Sequence, residues 1–252
     1  MNAVKLLENE RVDDLLTHEL KIIQSDEVFS FSLDAVLLAR FASVPPKGAI
    51  VDLCSGNGVI PLLMATRTKA HIVGVEIQHR LYDMACRSVQ MNGLEDRIRM
   101  IHGDLREAHR TLGYGKFDLV TVNPPYLPLG ANDRNRNEHI ALARHEIACT
   151  LEDVVSAASR LVKPGGKVAM VHRPFRLADT ISFLRKYRLE PKRLRLVHPR
   201  LEQEANMMLI ECIRDGGAEL RVLPPLIIYS NGNEYGPELM EIYYGRKEGF
   251  DE

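Results

Sequence analysis

The chain is short of net charge, of paired cysteines and of long apolar runs, and each shortage excludes a class of protein. Lys and Arg number 33 against 34 Asp and Glu, for a net charge of −1. No global field points to nucleic acid, so any basic surface must be local. The four cysteines, Cys54, Cys86, Cys149 and Cys212, lie far apart, with no C-x-x-C pair and no Cys/His cluster at zinc spacing. They read as reduced thiols of a cytoplasmic protein, and no metal site is expected. Met1 to Asp14 mixes both charge signs without an apolar centre, which is not the pattern of a signal peptide. No apolar run approaches the roughly 20 residues that cross a bilayer. What remains, 252 residues of 45% hydrophobic composition, allows one large α/β domain with a small extension.

The most informative stretch runs from Phe117 to Tyr126, FDLVTVNPPY. Its first six residues are apolar and β-branched, short enough for one buried strand. Pro124 and Pro125 end it, because neither has an N–H to give to a ladder. Pro124 also forces Asn123 to stay extended. The corner therefore offers the Asn123 side-chain oxygen and two stiffly held carbonyls, those of Asn123 and Pro124. It suits a ligand that brings two donors, such as the –NH2 of a base or an amide. Tyr126 adds a flat π-face beside it. Taken alone, the same stretch also reads as a plain strand-to-loop turn.

The surrounding pattern alternates strands with helices. Strands are expected at Leu20–Gln24, Ala49–Leu53, His71–Ile77, Ile98–His102, Phe117–Val122 and Lys167–His172, then at Arg193–His198 and Met207–Ile213. Helices are expected after Ser32 as N-cap, at 59–67, from His79 to the Asn92-Gly93 stop, and at 151–162 and 176–188. A long polar loop, 127–146, lies between, and the tail from Leu220 has no clear assignment beyond a short helix near Glu238–Tyr243. This is a doubly wound, Rossmann-like α/β fold, with a seven-stranded, mostly parallel sheet and helices on both faces.

Four successive strands carry a polar signal at their C-terminal ends, where ligands bind in an open α/β sheet. Asp52 and the Gly56-Asn57-Gly58 turn let a ligand approach the backbone, or Asp52 is merely buried and satisfied. Pro61 stands where the dinucleotide fingerprint needs its third glycine, so a phosphate cradle is not expected. Glu76 is spaced to accept from two ribose hydroxyls. Asp104 can accept from an adenine amino group, cap a short helix near Leu105, or both.

These residues resemble the ordered motifs of class I S-adenosylmethionine-dependent methyltransferases, and Asn123-Pro124-Pro125-Tyr126 resembles the corner of their amino-group methylating branch. More narrowly, FSFSLDAVLLARF, DLCSGNGVIPLLM, VNPPYLPLG, LARHE, LVKPGGKVAMVHRPFRLAD and LEPKRLRLVHP are similar to the bacterial tRNA1(Val) adenine-N6 methyltransferase family. The likeness runs from about Leu15 to Tyr243. It implies S-adenosyl-L-methionine as cofactor, held by Asp52, Cys54, Gly56, Gly58, Glu76, Asp104 and Asn123, with Asp34 in the segment that covers it. It implies a tRNA adenine as substrate, its amino group held by Asn123 and Pro124 and its ring stacked on Tyr126. One departure is Cys54, where the family usually has glycine. It implies that this position needs no positive φ.

A basic run supplies the second RNA signal. Arg185, Lys186, Arg188, Lys192, Arg193, Arg195 and Arg200 face one acid, Glu190. Arg134, Arg136, Arg144 and His145 could extend such a patch across the corner, or the run could be a solvated face. The expected division is an N-terminal extension with a cofactor-covering helix (1–48), a methyltransferase domain (49–215) and a tail packed on it (216–252). Other readings of the same corner are a release-factor glutamine-N5 methyltransferase, an rRNA amino-group methyltransferase, and a cofactor-binding RNA chaperone without catalysis. The first of these families carries a helical N-terminal domain, and fewer than 50 residues precede the Ala49 strand here.

Overall fold

The computed structural model describes residues 4–15, 19–28, 33–125, 149–230 and 232–244. Tyr126, Arg134, Arg136, Arg144, His145 and the Ser32 cap lie outside them. The chain opens with an antiparallel hairpin, β1 (Glu10–Asp14) and β2 (Lys21–Ser25), and helix α1 (Leu33–Phe41). Strand and helix then alternate through β3 (Ala49–Leu53), α2 (Val59–Ala65), β4 (His71–Glu76), α3 (His79–Met91), β5 (Ile98–His102), α4 (Ala108–Leu112) and β6 (Phe117–Val122). After it come α5 (Leu151–Leu161), β7 (Val162–His172), α6 (Leu177–Lys186), β8 (Leu189–His198) and β9 (Met207–Arg214). The tail adds β10 (Arg221–Val222), β11 (Leu226–Ile227) and α7 (Pro237–Tyr244).

Seven strands form the expected sheet in the order β5-β4-β3-β6-β7-β9-β8, parallel except for β9. The short β10 and β11 both pair parallel with β8 and cover its outer edge, so the sheet has nine strands among the described residues. An uncovered edge strand is an invitation to aggregate, and two pairs of residues are enough to close this one. Alternate residues face opposite layers. Ile50, Ile72 and Leu119 pack with Leu37, Leu62 and Met64 of α1 and α2. Val51, Leu53, Val120 and Val168 pack with Val154, Ala158 and Leu161 of α5.

Two strands begin earlier than their apolar pattern predicts, and each contains a bulge. β7 passes through Pro164-Gly165-Gly166, with the register against β6 shifting between Phe117 and Leu119. β8 passes through Pro191, with a shift between Pro191 and Arg193. The missing N–H of proline is accommodated where the ladder is already interrupted.

The N-terminal hairpin is sewn to α3 by side chains. Ser88 Oγ accepts from the Ile23 N–H at 3.0 Å, and Asn92 both accepts from Lys21 N–H (3.0 Å) and donates to its carbonyl (2.7 Å). Arg87 donates to both carboxylate oxygens of Glu10, at 2.6 and 2.8 Å, and this pairing holds the Glu10 carboxyl below its usual range.

On the other side of the sheet's centre, Glu211 of β9 is 2% exposed. It accepts from the Ser43 N–H at 2.7 Å and from Ser43 Oγ at 2.8 Å. Arg193, its register partner on β8, reaches it at 3.0 Å and lies over the Phe41 ring at 4.5 Å. The expectation that Arg193 faces RNA is corrected here, because this guanidinium neutralises a buried carboxylate and fastens α1 to the sheet. Arg193→Ala should lower the unfolding free energy by about 3 kcal/mol, the scale for a buried charge left without its partner. Urea denaturation checks this, and an unchanged midpoint would mean that Ser43 alone satisfies Glu211.

Candidate active site

Parallel strands bring the ends of β3, β4, β5 and β6 to one edge of the sheet, and a cavity of about 920 Å³, counted to its open mouth, lies there. Of the residues expected to contact the cofactor or the target base, Asp34, Cys54, Gly56, Glu76, Asp104, Asn123 and Pro124 all line it. Asp52 and Gly58 are not among the lining residues.

The turn after β3 explains the split. Cys54 has φ +56°, which corrects the expectation that a non-glycine here avoids the left-handed region. The bend costs a residue with a Cβ on the order of 1–2 kcal/mol. It turns the Ser55 N–H onto the Val75 carbonyl at 3.0 Å, locking the turn to β4. Gly56 follows at φ +56° with nothing within 4 Å of where a Cβ would sit, so a ligand can approach its backbone. Gly58, at φ +87°, serves packing instead, since an added Cβ would sit 3.2 Å from Ala85 Cβ of α3. Pro61 falls in the first turn of α2, where its missing N–H does no harm.

Asp52 lies behind the cavity, fully buried, and accepts from Thr121 Oγ1 of β6 at 2.7 Å through Oδ1, while Oδ2 has no partner. Its contact with the cofactor is therefore indirect: it braces the β3–β6 pair beneath the turn. Burial pushes its pKa up to about 7, with the nearby Thr121 and Ser55 hydroxyls opposing.

Glu76 is 5% exposed and is not a solvated strand end. One oxygen accepts from the Gly56 N–H and the other from the Gln78 N–H, both at 2.8 Å. Burial raises its pKa against the pull of these amides. Asp104 forms an Asx turn, accepting from the Arg106 N–H at 2.8 Å, and pairs with the Arg106 guanidinium. Burial raises its pKa, but Arg106 outweighs that and holds it below its ordinary value. The helix itself starts later than Leu105, at Ala108. Asp34, in the first turn of α1, is buried and lines the cavity from the other side.

Residues that the motifs did not single out complete the walls. Leu81 and Leu105 are apolar, and Cys149 beside Cys54, together with burial, raises the Cys54 thiol well above its ordinary pKa. Cys54 is thus an unreactive small residue in the wall. Asn57 donates to the Ile23 carbonyl at 3.0 Å and ties the hairpin to the site. Leu105 and Asn57 each lie one residue from a recognised position, which is the signal that marks them in the sequence.

Among the described residues the lining contains three carboxylates and no Lys, Arg or His. Those three carboxylates disfavour an anionic phosphate. Among the described residues no cluster could hold a metal ion, and no helix is long and apolar enough to cross a membrane. A model of the methyltransferase small domain matches residues 19–187. The chain belongs to that methyltransferase family. It is similar, at 31% identity over 83% of this chain and 85% of the relative, to a tRNA1(Val) (adenine(37)-N6)-methyltransferase of Porphyromonas gingivalis. A protein of the same name from Aeromonas salmonicida is 28% identical over 83% of this chain and 86% of its own. A crystal structure from Agrobacterium tumefaciens, described as a predicted O-methyltransferase, superposes with TM-score 0.68 at 25% identity, covering 85% of this chain and 97% of that one.

S-adenosylmethionine, the cofactor of such methyltransferases, fits this lining: it is cationic at sulfur and amino nitrogen, and it presents ribose hydroxyls and an adenine amino group to carboxylates. Glu76 would accept from the ribose and Asp104 from the adenine amino group.

The basic run does not form one surface. Arg185 and Lys186 end α6, at the edge of the sheet where β8 begins, a strand of 10 residues away from the cavity edge. They pair with Glu190 and Glu152, and Arg188 pairs with Asp215. Arg195 is bidentate to Glu238 of the tail. The run is split because a helix crossover reverses direction and acids pair with five of its seven cations, while the residues expected to extend it across the corner lie outside the described residues.

Two predictions follow from this geometry. Glu76→Ala should weaken S-adenosylmethionine binding by roughly 1.5–3 kcal/mol, the scale of hydrogen bonds to a charged group; calorimetry showing full affinity in a folded variant would remove Glu76 from the site. For Asp52, a raised folded pKa means that the folded state holds the extra proton between pH about 4 and about 7. Its contribution to stability is greatest below the unfolded pKa and is lost as pH rises to about 7. Asp52→Asn should therefore gain stability relative to wild type as pH increases across that window. A difference between the two proteins that stays constant with pH would show that the carboxyl ionises normally.

Proposed function

We propose that the protein is an S-adenosylmethionine-dependent methyltransferase that methylates N6 of adenine in tRNA, at adenine 37 of tRNA1(Val). The observation that carries this reading is the Asn123-Pro124-Pro125 corner set in the wall of an acidic cavity. The names of the relatives from Porphyromonas gingivalis and Aeromonas salmonicida support the target. Bound S-adenosylmethionine supplies an electrophilic methyl group. The remaining work falls to the chain's own residues. The Asn123 side-chain oxygen and the Pro124 carbonyl accept the two amino hydrogens of adenine. Held this way, a nitrogen whose lone pair is delocalised into the ring becomes pyramidal and its lone pair localised. Catalysis is then positioning and directed electrostatics. No dedicated base is required, because the methylated ammonium is strongly acidic. Tyr126, next in the chain, stacks on the base, worth about 1–3 kcal/mol. The target lies in a loop, where turning a base out costs less than from a duplex.

An O-methyl acceptor, the description attached to the Agrobacterium tumefaciens structure, brings one hydrogen where this corner has two acceptors to fill. The chemistry of the corner favours an amino group.

Asn123→Ala should lower turnover by about 10²–10³-fold or more while cofactor and tRNA affinity stay nearly intact. An acceptor that matters most as positive charge develops on nitrogen appears in the rate and not in binding. Single-turnover transfer to unmodified tRNA, with N6-methyladenine detected by mass spectrometry, checks both points. Full activity in the variant would sink the mechanism, and label on a release-factor glutamine but never on adenine would overturn the substrate.

A further inference from the structure

The tail carries an aromatic ladder that the cavity chemistry does not use. Tyr229 and Tyr235 face each other across a tight turn, with ring centroids 5.5 Å apart and planes inclined by 24°. Tyr235 stacks in turn on Tyr243 of α7, at 6.1 Å and 21°. Tyr244 continues the line, tilted, 6.4 Å from Tyr243. The Arg200 guanidinium lies 5.4 Å from the Tyr229 ring centre and also binds the Gly232 carbonyl and Asn233 Oδ1 of the same turn.

The ladder's place in the fold is specific. β8 and β11 end at the cavity's edge of the sheet, and Arg200 and Tyr229 follow directly on those ends. From there the rings lead back toward α1. Tyr243 packs on the core that includes α1, and its hydroxyl, pushed up to about 12 by burial first, also feels the charge of Asp34 in the cavity wall. The rings thus lie at the same edge of the sheet as the cavity.

A clasp that merely fastened the tail would hide its rings. Leu239 does that work, fully buried. Tyr235 and Tyr244 instead remain 47% and 58% exposed. The tail's acids, Glu234 and Glu241, are exposed beside them, so the surface does not attract phosphate strongly. Among the described residues it offers π-faces and one cation, the means by which proteins hold unpaired bases.

We propose that Tyr229, Tyr235, Tyr243 and Tyr244, with Arg200, form a stacking platform for unpaired RNA nucleotides that flank the base being methylated. The proposal rests on the tRNA reading for which RNA is bound, but its test does not depend on methyl transfer. Fluorescence anisotropy with a labelled, unstructured oligoribonucleotide of about ten nucleotides measures the platform directly. Tyr235→Ala and Tyr244→Ala should each weaken binding about tenfold, by a similar factor at low and high salt, because a ring contact releases no counterions. Tyr235→Phe should bind within about twofold of wild type, since its ring still stacks. S-adenosylmethionine affinity should be unchanged in all three, and Tyr244→Ala, at the exposed helix end, should melt as wild type does. Alanine variants that bind as wild type does, or a wild type that binds no such oligonucleotide, overturn the platform. A wild type that methylates no tRNA, yet binds the oligonucleotide through these rings, overturns the tRNA reading and leaves the platform standing.

Discussion

The cavity depends on one buried carboxylate held by backbone amides. Glu76 sits at the end of β4 with a small fraction of its surface in water, and a charge so placed is costly unless donors surround it. The donors come from two different loops, Gly56 after β3 and Gln78 after β4. The charge therefore does more than wait for a ribose: it joins the two turns that form the floor. Each carboxylate oxygen has a second lone pair for a ligand hydroxyl. The strained Cys54 belongs to the same device. Only by bending there does the chain bring the Ser55 N–H to Val75 and the Gly56 N–H to Glu76. Backbone strain and a desolvated charge are balanced against each other at one point, which is where a binding site stores both.

How much of this was legible in the sequence depended on how local the cause was. β3 and β6 fall where their apolar and β-branched residues predict, because a strand buried on both faces can hold little else. The polar strand ends were legible for the same reason: a carboxylate after a buried strand needs an explanation, and the carboxyl edge of the sheet supplies one. Asp52 was misplaced by that logic. It lies one residue before the strand's end, so the pleat turns it away from the edge and onto Thr121 of the neighbouring strand. Cys54 was misjudged because a side chain that tolerates strain looks, in sequence, like one that avoids it. The early starts of β7 and β8 were hidden by their prolines, which ended the pattern where the structure has bulges.

What the sequence concealed most was pairing across distance. A run of seven cations reads as a surface, but four of them pair with acids from α5, from β9 and its end, and from the tail. Arg193 and Arg195 are two residues apart on one strand and point to the same side, yet one closes the core over α1 and the other fastens α7. The tail's strands were illegible, though its helix was not, because they have two residues each and owe their existence to the open edge of β8. No local periodicity can announce an element that short. The hairpin's seam with α3, made by Ser88 and Asn92, is hidden in the same way.

These charge assignments bear on how an RNA can be held beside an acidic cavity. Three carboxylates in the lining suit a cationic cofactor and repel phosphate. A patch of unpaired arginines next to that lining would tend to fold in upon it, as Arg106 does upon Asp104. Keeping the carboxylates available for the cofactor is therefore easier if the rim recognises RNA through something other than charge. Ring faces meet that requirement, because they bind bases without competing for carboxylates and without strengthening as salt falls. The acceptor corner follows the same rule one step further in. In the proposed reaction it meets the target by the two hydrogens of its amino group, without a cation. On that proposal, from rim to corner, the base and not the backbone of the nucleic acid is the part that the described residues are suited to meet.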